Sequence, residues 1–222
     1  MANLVSYWDI RRDDEINTYV RIGNQSLGVL GYTEHSFVHA GRVANLAAKI
    51  LKTLDYPERE VELARISGYM HDIGNTINRS EHAQTGAVMA FDILNRKGMP
   101  PEEIAAIVSA IGNHHEDDGC AVSPHSAALI IADKSDVRRS RVRNNDFAKF
   151  DIHDRVNYAV QRSCVTMCNE KNTITLALSL DTEICEPIDY LEIFMTRMIM
   201  SRRAAEFLGR KFVLIINGAK LS

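Results

Sequence analysis

The 222-residue chain contains no apolar run near the ~20 residues that a membrane span requires. Its first nine residues, Met1 to Asp9, lack a basic stretch followed by an apolar one. Both absences disfavour a membrane or exported protein, and a cytoplasmic location is expected. Charge of one sign is scarce too: 26 Lys and Arg against 29 Asp and Glu leave a net charge of -3, which argues against a protein built to coat nucleic acid. There are four cysteines, Cys120, Cys164, Cys168 and Cys185, and no C-x-x-C pair. Cys164 and Cys168 fall in a stretch that reads as strand, where positions four apart are too distant to ligate one ion. All four are expected to be buried free thiols. No internal repeat, low-complexity tract, flexible linker or Ser-His-Asp triad is evident. With 45% hydrophobic and 25% charged residues, the chain can bury a sizeable core as one large domain, or as one domain with an appended piece.

What is abundant is histidine in an ordered series. Gly68-Tyr69-Met70-His71-Asp72-Ile73-Gly74-Asn75 reads as an apolar helix end that delivers an imidazole and a carboxylate side by side, a pairing suited to a divalent metal. His35 and His39 are four apart, so on one helix they share a face. His82 stands near the start of a later helix and His114-His115 at the end of another. Asp133 interrupts the apolar run Ala127 to Ala132, where a carboxylate is costly to bury unless a cation meets it. Of eight histidines only His125 and His153 lie outside this series, which favours one shared site over scattered residues.

Start and stop signals divide the chain into helices. Asp13-Asp14-Glu15 opens one that runs towards Leu27 or Leu30 and ends at Gly31. Thr33 is the expected N-cap of the helix carrying His35 and His39. Pro57 fits the first position of the helix ending at His71, and Ser80 the cap of the helix holding His82. Pro100-Pro101 opens the helix that delivers His114 and His115, and Ser123-Pro124 the one bearing Asp133. After Arg143 the pattern changes. Val156 to Val160 and the stretch through Met167 read as extended, Asn169 to Asn172 as a turn, and Thr173 to Leu180 alternates with period two. A long helix from about Pro187 to Leu208 and a strand Phe212 to Ile216 follow. The expected architecture is mainly α: a helical domain over 1–143 that carries the histidine series, and a small α/β appendage over 144–222 made of hairpin, long helix and final strand.

The order His39-x-x-Arg42-Val43, then His71-Asp72, then Asp133 resembles the HD superfamily of metal-dependent phosphohydrolases, an all-helical fold. The resemblance runs from about Thr33 to about Asp136. It implies that His39, His71, Asp72 and Asp133 hold a first metal, that Asp72 bridges, and that His82, His114 and His115 reach a second. His35 stands where some histidine-expanded members carry another ligand. Divalent ions, two in number and drawn from Fe, Mn, Zn, Ni or Mg, are the implied cofactors. His114 to Gly119 partly resembles the HD-GYP cyclic-dinucleotide phosphodiesterases. However, Cys120-Ala121-Val122 replaces Gly-Tyr-Pro, and Asn75 stands where that subgroup has lysine, which speaks against a cyclic dinucleotide substrate.

The resemblance implies hydrolysis of a phosphate mono- or diester, with a small phosphorylated molecule as partner, no membrane and no nucleic acid, and with homodimerisation left open. Asp72 and Lys134 are the expected catalytic residues, Lys134 stabilising developing charge or else lying solvated beside a ligand. Arg138 and Arg139, in a cluster with Arg141 and Arg143, either bind phosphate or pair with Asp136, Asp146 and Asp151. Glu116, Asp117 and Asp118 offer proton transfer or support behind the ligands, or form an acidic surface loop. Two other readings stand beside hydrolysis: a di-iron oxygenase on the same fold, and a non-catalytic metal or nucleotide sensor.

Overall fold

A computed structural model describes residues 4–143 and 150–221. A short helix, α1 (Tyr7–Arg11), and a longer one, α2 (Asp14–Val29), lead in. Asp13 caps α2 by accepting from the Ile16 amide, and Gly31 (φ 84°) turns the chain away after it. The helices α3 (Phe37–Thr53), α4 (Glu58–Met70), α5 (His82–Arg96), α6 (Pro101–Gly112) and α7 (Pro124–Lys134) follow. The entire Ala127–Ala132 stretch of α7 is buried, which makes it the central helix. Two apolar clusters result, one joining α1 to α6 and the other joining α3, α4 and α7 to the C-terminal elements.

Beyond Arg143 come α8 (Ile152–Ala159), β1 (Val160–Cys168), β2 (Thr173–Leu180), α9 (Pro187–Phe207), β3 (Lys211–Ile216) and the two-residue β4 (Ala219–Lys220). The sheet order is β1-β2-β3-β4: β1 runs antiparallel to β2, β3 is added parallel to β2, and β4 is antiparallel to β3. The crossover between β2 and β3 is α9, as a parallel pair requires. Along β2 burial alternates, putting Ile174, Leu176, Leu178 and Leu180 on the covered face with Tyr190, Phe194 and Met198 of α9 in the same cluster. The chain is thus mainly helical with a small C-terminal sheet, as its periodicity suggests.

Several local expectations are corrected. Val156 to Ala159 is helical, because Asp151 accepts from the Asp154 amide at 2.7 Å and Val156 and Ala159, three apart, are buried together. That cap and the buried face override the strand preference of the β-branched and aromatic residues. Ser36, not Thr33, caps α3, accepting from the Val38 amide, so His35 precedes the helix. Glu81, in the left-handed region at φ 56°, is the cap position of α5 in place of Ser80, and Pro57 lies one residue before α4. Only Cys185 is buried; Cys120 is exposed and Cys164 and Cys168 are half-buried on β1, all four as free thiols. No helix among the described residues is long and apolar enough to cross a membrane.

Candidate metal centre

Close helix packing begins the site. A Cβ on Gly68 would stand 2.7 Å from the Ala44 Cα, so α3 and α4 approach where both side chains are smallest. That approach brings His39, in the first turn of α3, against His71, which ends α4; their ring centroids are 5.2 Å apart. The turn after α4 carries Asp72, and α7 delivers Asp133 at its last turn.

The donor atoms fall into overlapping groups, two of which share Asp72, while His71, His114 and Asp133 make a third. In the first, His71 Nε2 is 3.1 Å and His39 Nε2 3.6 Å from Asp72 Oδ2. His39 Nε2 is also 3.3 Å, and His71 Nε2 3.7 Å, from Asp133 Oδ1. In the second, Asp72 Oδ1 is 3.6 Å from His82 Nε2 and 4.0 Å from His114 Nε2, and these two nitrogens are 3.3 Å apart. Asn75 donates to Asp72 Oδ1 at 2.9 Å and fixes the carboxylate plane.

The far nitrogen of each imidazole is anchored. Nδ1 of His71 bonds Gly68 O at 2.9 Å, His82 Arg79 O at 2.9 Å, His114 Ile111 O at 2.6 Å, and His39 Asp136 Oδ2 at 2.8 Å. With Nδ1 donating, each ring turns Nε2 inward, the nitrogen a metal would take once it is free of its proton. His39 Nε2, His71 Nε2 and Asp72 Oδ2 are buried without a hydrogen-bond partner among the described residues. Orphaned buried polar atoms are costly, and mixed imidazole and carboxylate donors within 4.8 Å of one another suit a divalent ion.

Electrostatics agree. Burial alone would raise the Asp72 and Asp133 carboxyls; the His71 charge beside Asp72 and the Lys134 charge beside Asp133 outweigh it and hold both well below the usual carboxylate range. Burial would likewise depress His71, but Asp72 and Asp133 push it up to about 10, so a proton lodges where these carboxylates call for positive charge. Burial keeps His114 and His35 well below, and His82 at about 4, hence neutral with lone pairs free near pH 7.

Other expected residues stand differently. His35 anchors Nδ1 on Thr33 O and turns its ring to His39 at 5.4 Å, on the cavity wall but outside both donor groups. His115 is half-buried against the His82 ring at 4.8 Å, with Nδ1 3.7 Å from Asp117, and is in neither group. Lys134 is not solvated: its buried ammonium lies 2.8 Å from Asp133 Oδ2 and 2.5 Å from Glu116 Oε2. Glu116 is held well below the usual range because Lys134 and Arg197 outweigh its burial. Asp117 is exposed, and Asp118 accepts from Gln84.

Arg138 and Arg139 are not among the residues lining the cavity. Arg138 is held by Asp136, and Arg139 by Tyr158 O and Asp181. Arg143 is bound to Tyr32 O and Asn24. The expected pairing with Asp146 falls outside the described residues.

Three functional features escaped sequence reasoning. In the sequence Asp136 reads only as an arginine partner, yet it also orients His39, one turn beyond Asp133. Arg79 reaches His82 Nε2 at 3.2 Å from the turn before α5. Arg197 arrives from α9. Asp136→Asn is expected to weaken metal binding about 10–100-fold, because the charge that orients and polarises His39 is lost. Chelator competition measures it, with circular dichroism confirming the fold.

The donor groups open into a cavity of about 420 Å³ bounded by Asp72, His82, Asp133, Lys134, Arg141 and Arg197, among others. This arrangement can hold metal, polarise a bound oxyanion and offer cationic partners to it.

Comparison with known proteins places this geometry. The HD domain family matches residues 36–140, which carry all six donor residues. An uncharacterized protein of Methanocaldococcus jannaschii is 28% identical over 188 residues, 74% of this chain and 72% of its own length. Ribonuclease Y of Thermus thermophilus is 28% identical over 122 residues, 54% of this chain, and the match spans only 19% of that enzyme's length. Residues 36–140, a little under half of the chain, are therefore what this protein shares with the HD domain family.

Proposed function

We propose that the protein is a metal-dependent phosphohydrolase that cleaves a small phosphate mono- or diester at a two-ion centre. The observation that carries this reading is the division of one carboxylate: Asp72 turns Oδ2 to His39 and His71, and Oδ1 to His82 and His114. A carboxylate with one oxygen in each of two donor groups would serve two divalent ions at once. Two divalent ions there supply an acidified water nucleophile and charge neutralisation for in-line displacement.

The chain's own groups do the rest. Lys134 steadies Asp133 and adds positive charge beside the reacting phosphate, Arg79 faces the second donor group, and Asp136 and Asn75 hold His39 and Asp72 in register. The cavity volume favours a small ester. Ribonuclease Y, named for action on RNA, keeps phosphodiesters within the range. The division into 1–143 and 144–222 belongs to the same proposal, the second unit closing the cavity.

Metal-stripped protein is reloaded with Mn²⁺ or, anaerobically, Fe²⁺, and screened against phosphorylated metabolites in ¹⁸O-labelled water. Labelled phosphate, or a labelled phosphoryl product from a diester, is the expected result. Lys134→Ala is expected to lower turnover about 10–100-fold with metal content intact. A coloured, iron-loaded protein that hydrolyses none of these esters and consumes dioxygen with an organic substrate would establish the oxygenase reading instead.

A further inference from the structure

Arg197 lies on α9, outside the HD domain, yet enters the cavity of that domain. Two contacts fix its guanidinium. Nε donates to Glu116 Oε1 at 2.9 Å, and the group lies over the Phe194 ring, 4.7 Å from its centroid and one turn earlier on the same helix. Glu116 is anchored in turn by Lys134. Nη1 and Nη2 of Arg197, the end suited to two parallel bonds with an oxyanion, have no partner among the described residues.

Arg141 reaches the same cavity from the 3-10 turn Arg139–Arg141, buried, with Nε on Glu34 O and Nη1 on Asp136 O. Burial lowers its proton affinity first, the Asp136 and Asp133 carboxylates work against that, and Arg197 is near enough to lower it further. Both guanidinium groups line one partly buried space, Arg197 beside Glu116 and Arg141 3.9 Å from Asp136 Oδ2, and a further anion between them would offset their mutual repulsion. Three successive ion pairs, Arg197–Glu116, Glu116–Lys134 and Lys134–Asp133, link Arg197 to the donor groups. A phosphate bound at the donor groups leaves Nη1 and Nη2 of Arg197 open to a second anionic group.

We propose that Arg197 and Arg141 bind a second anionic group of the substrate, apart from the phosphate that is cut, so that the C-terminal unit supplies a specificity-determining residue. This rests on reading the cavity as a phosphate-ester site. Substrates with two anionic groups are then preferred over otherwise identical ones with a single group.

The test compares adenosine 5′-monophosphate with its diphosphate and its 2′,5′- and 3′,5′-bisphosphates, each by kcat/KM and by calorimetric binding to metal-loaded protein. At least one doubly charged ligand is expected to exceed the monophosphate about 10-fold or more. Arg197→Gln is expected to cut that ratio about 10–100-fold, chiefly through KM, with Arg197→Lys recovering part of it. If Arg197 serves only to clamp Glu116, the variant lowers all four ligands by one common factor, and the proposal is overturned. Equal affinity of the wild type for all four overturns it as well. Hydrolysis of none, with the binding preference present and lost in Arg197→Gln, overturns the hydrolase reading while upholding the second anion site.

Discussion

Asp72→Ala is expected to empty both donor groups and to lower turnover by at least ~1000-fold while leaving the helical content intact. The magnitude follows from geometry. Each Asp72 oxygen belongs to a different group, so one substitution removes a negative ligand from each and leaves only imidazoles and Asp133 behind. The same change costs little in packing, since the carboxylate stands at the cavity wall and not in the apolar core. His82→Ala is the companion measurement: it should remove one ion and spare the other, because His82 touches only the second group. Metal analysis by mass spectrometry reads both variants. Full metal content in Asp72→Ala would sink the two-ion assignment.

Gly74→Ala should cause the largest loss of stability of any single-methyl addition near the site. A Cβ at Gly74 would overlap His82 O and lie 2.6 Å from Gly86 N, both backbone atoms of α5. Flexible side chains yield to a methyl, but a helix backbone yields only by moving as a whole. The expected cost is about 3 kcal/mol or more, a fall in Tm of roughly 6–12 °C for a chain of this length. Displacing α5 also displaces His82, so the second ion should be lost with the stability. Gly41→Ala is the control: nothing lies within 4 Å of a Cβ there, and in mid-helix alanine is favoured over glycine. Equal melting temperatures for the two variants would refute the close approach of turn and helix.

Much of the helical frame is legible in the chain because its signals are local. Asp13, Pro101 and the Ser123-Pro124 pair act within one turn, and the apolar spacing of each helix declares which face is buried. β2 is read from alternation alone, since one of its faces is covered. Reading failed where a cap or a shared buried face overruled propensity and spacing. Val156 to Ala159 is rich in strand formers, yet a cap at Asp151 and a shared buried face make it helix. His35 and His39 have helical spacing, but Ser36 starts α3 between them.

For the site, the ordered histidines and the two aspartates can be picked out of the sequence because a metal centre needs specific donor types, and burying an unpaired carboxylate such as Asp133 is costly wherever the chain runs. Which of those donors face one another is a matter of a few tenths of a nanometre. The close contact at Gly68 and Ala44, the carbonyls that orient each ring, and the turn at Gly74 decide it. His114 enters and His115 does not, although they are neighbours, because successive residues leave the end of α6 in different directions. Arg197 carries no local sign of its role: an arginine on a long amphipathic helix looks the same whether it meets water or a cavity. Donor chemistry is thus a property of residue type and could be read in one dimension, whereas the sharing of Asp72 and the arrival of Arg197 depend on how distant segments pack, which only the tertiary structure decides.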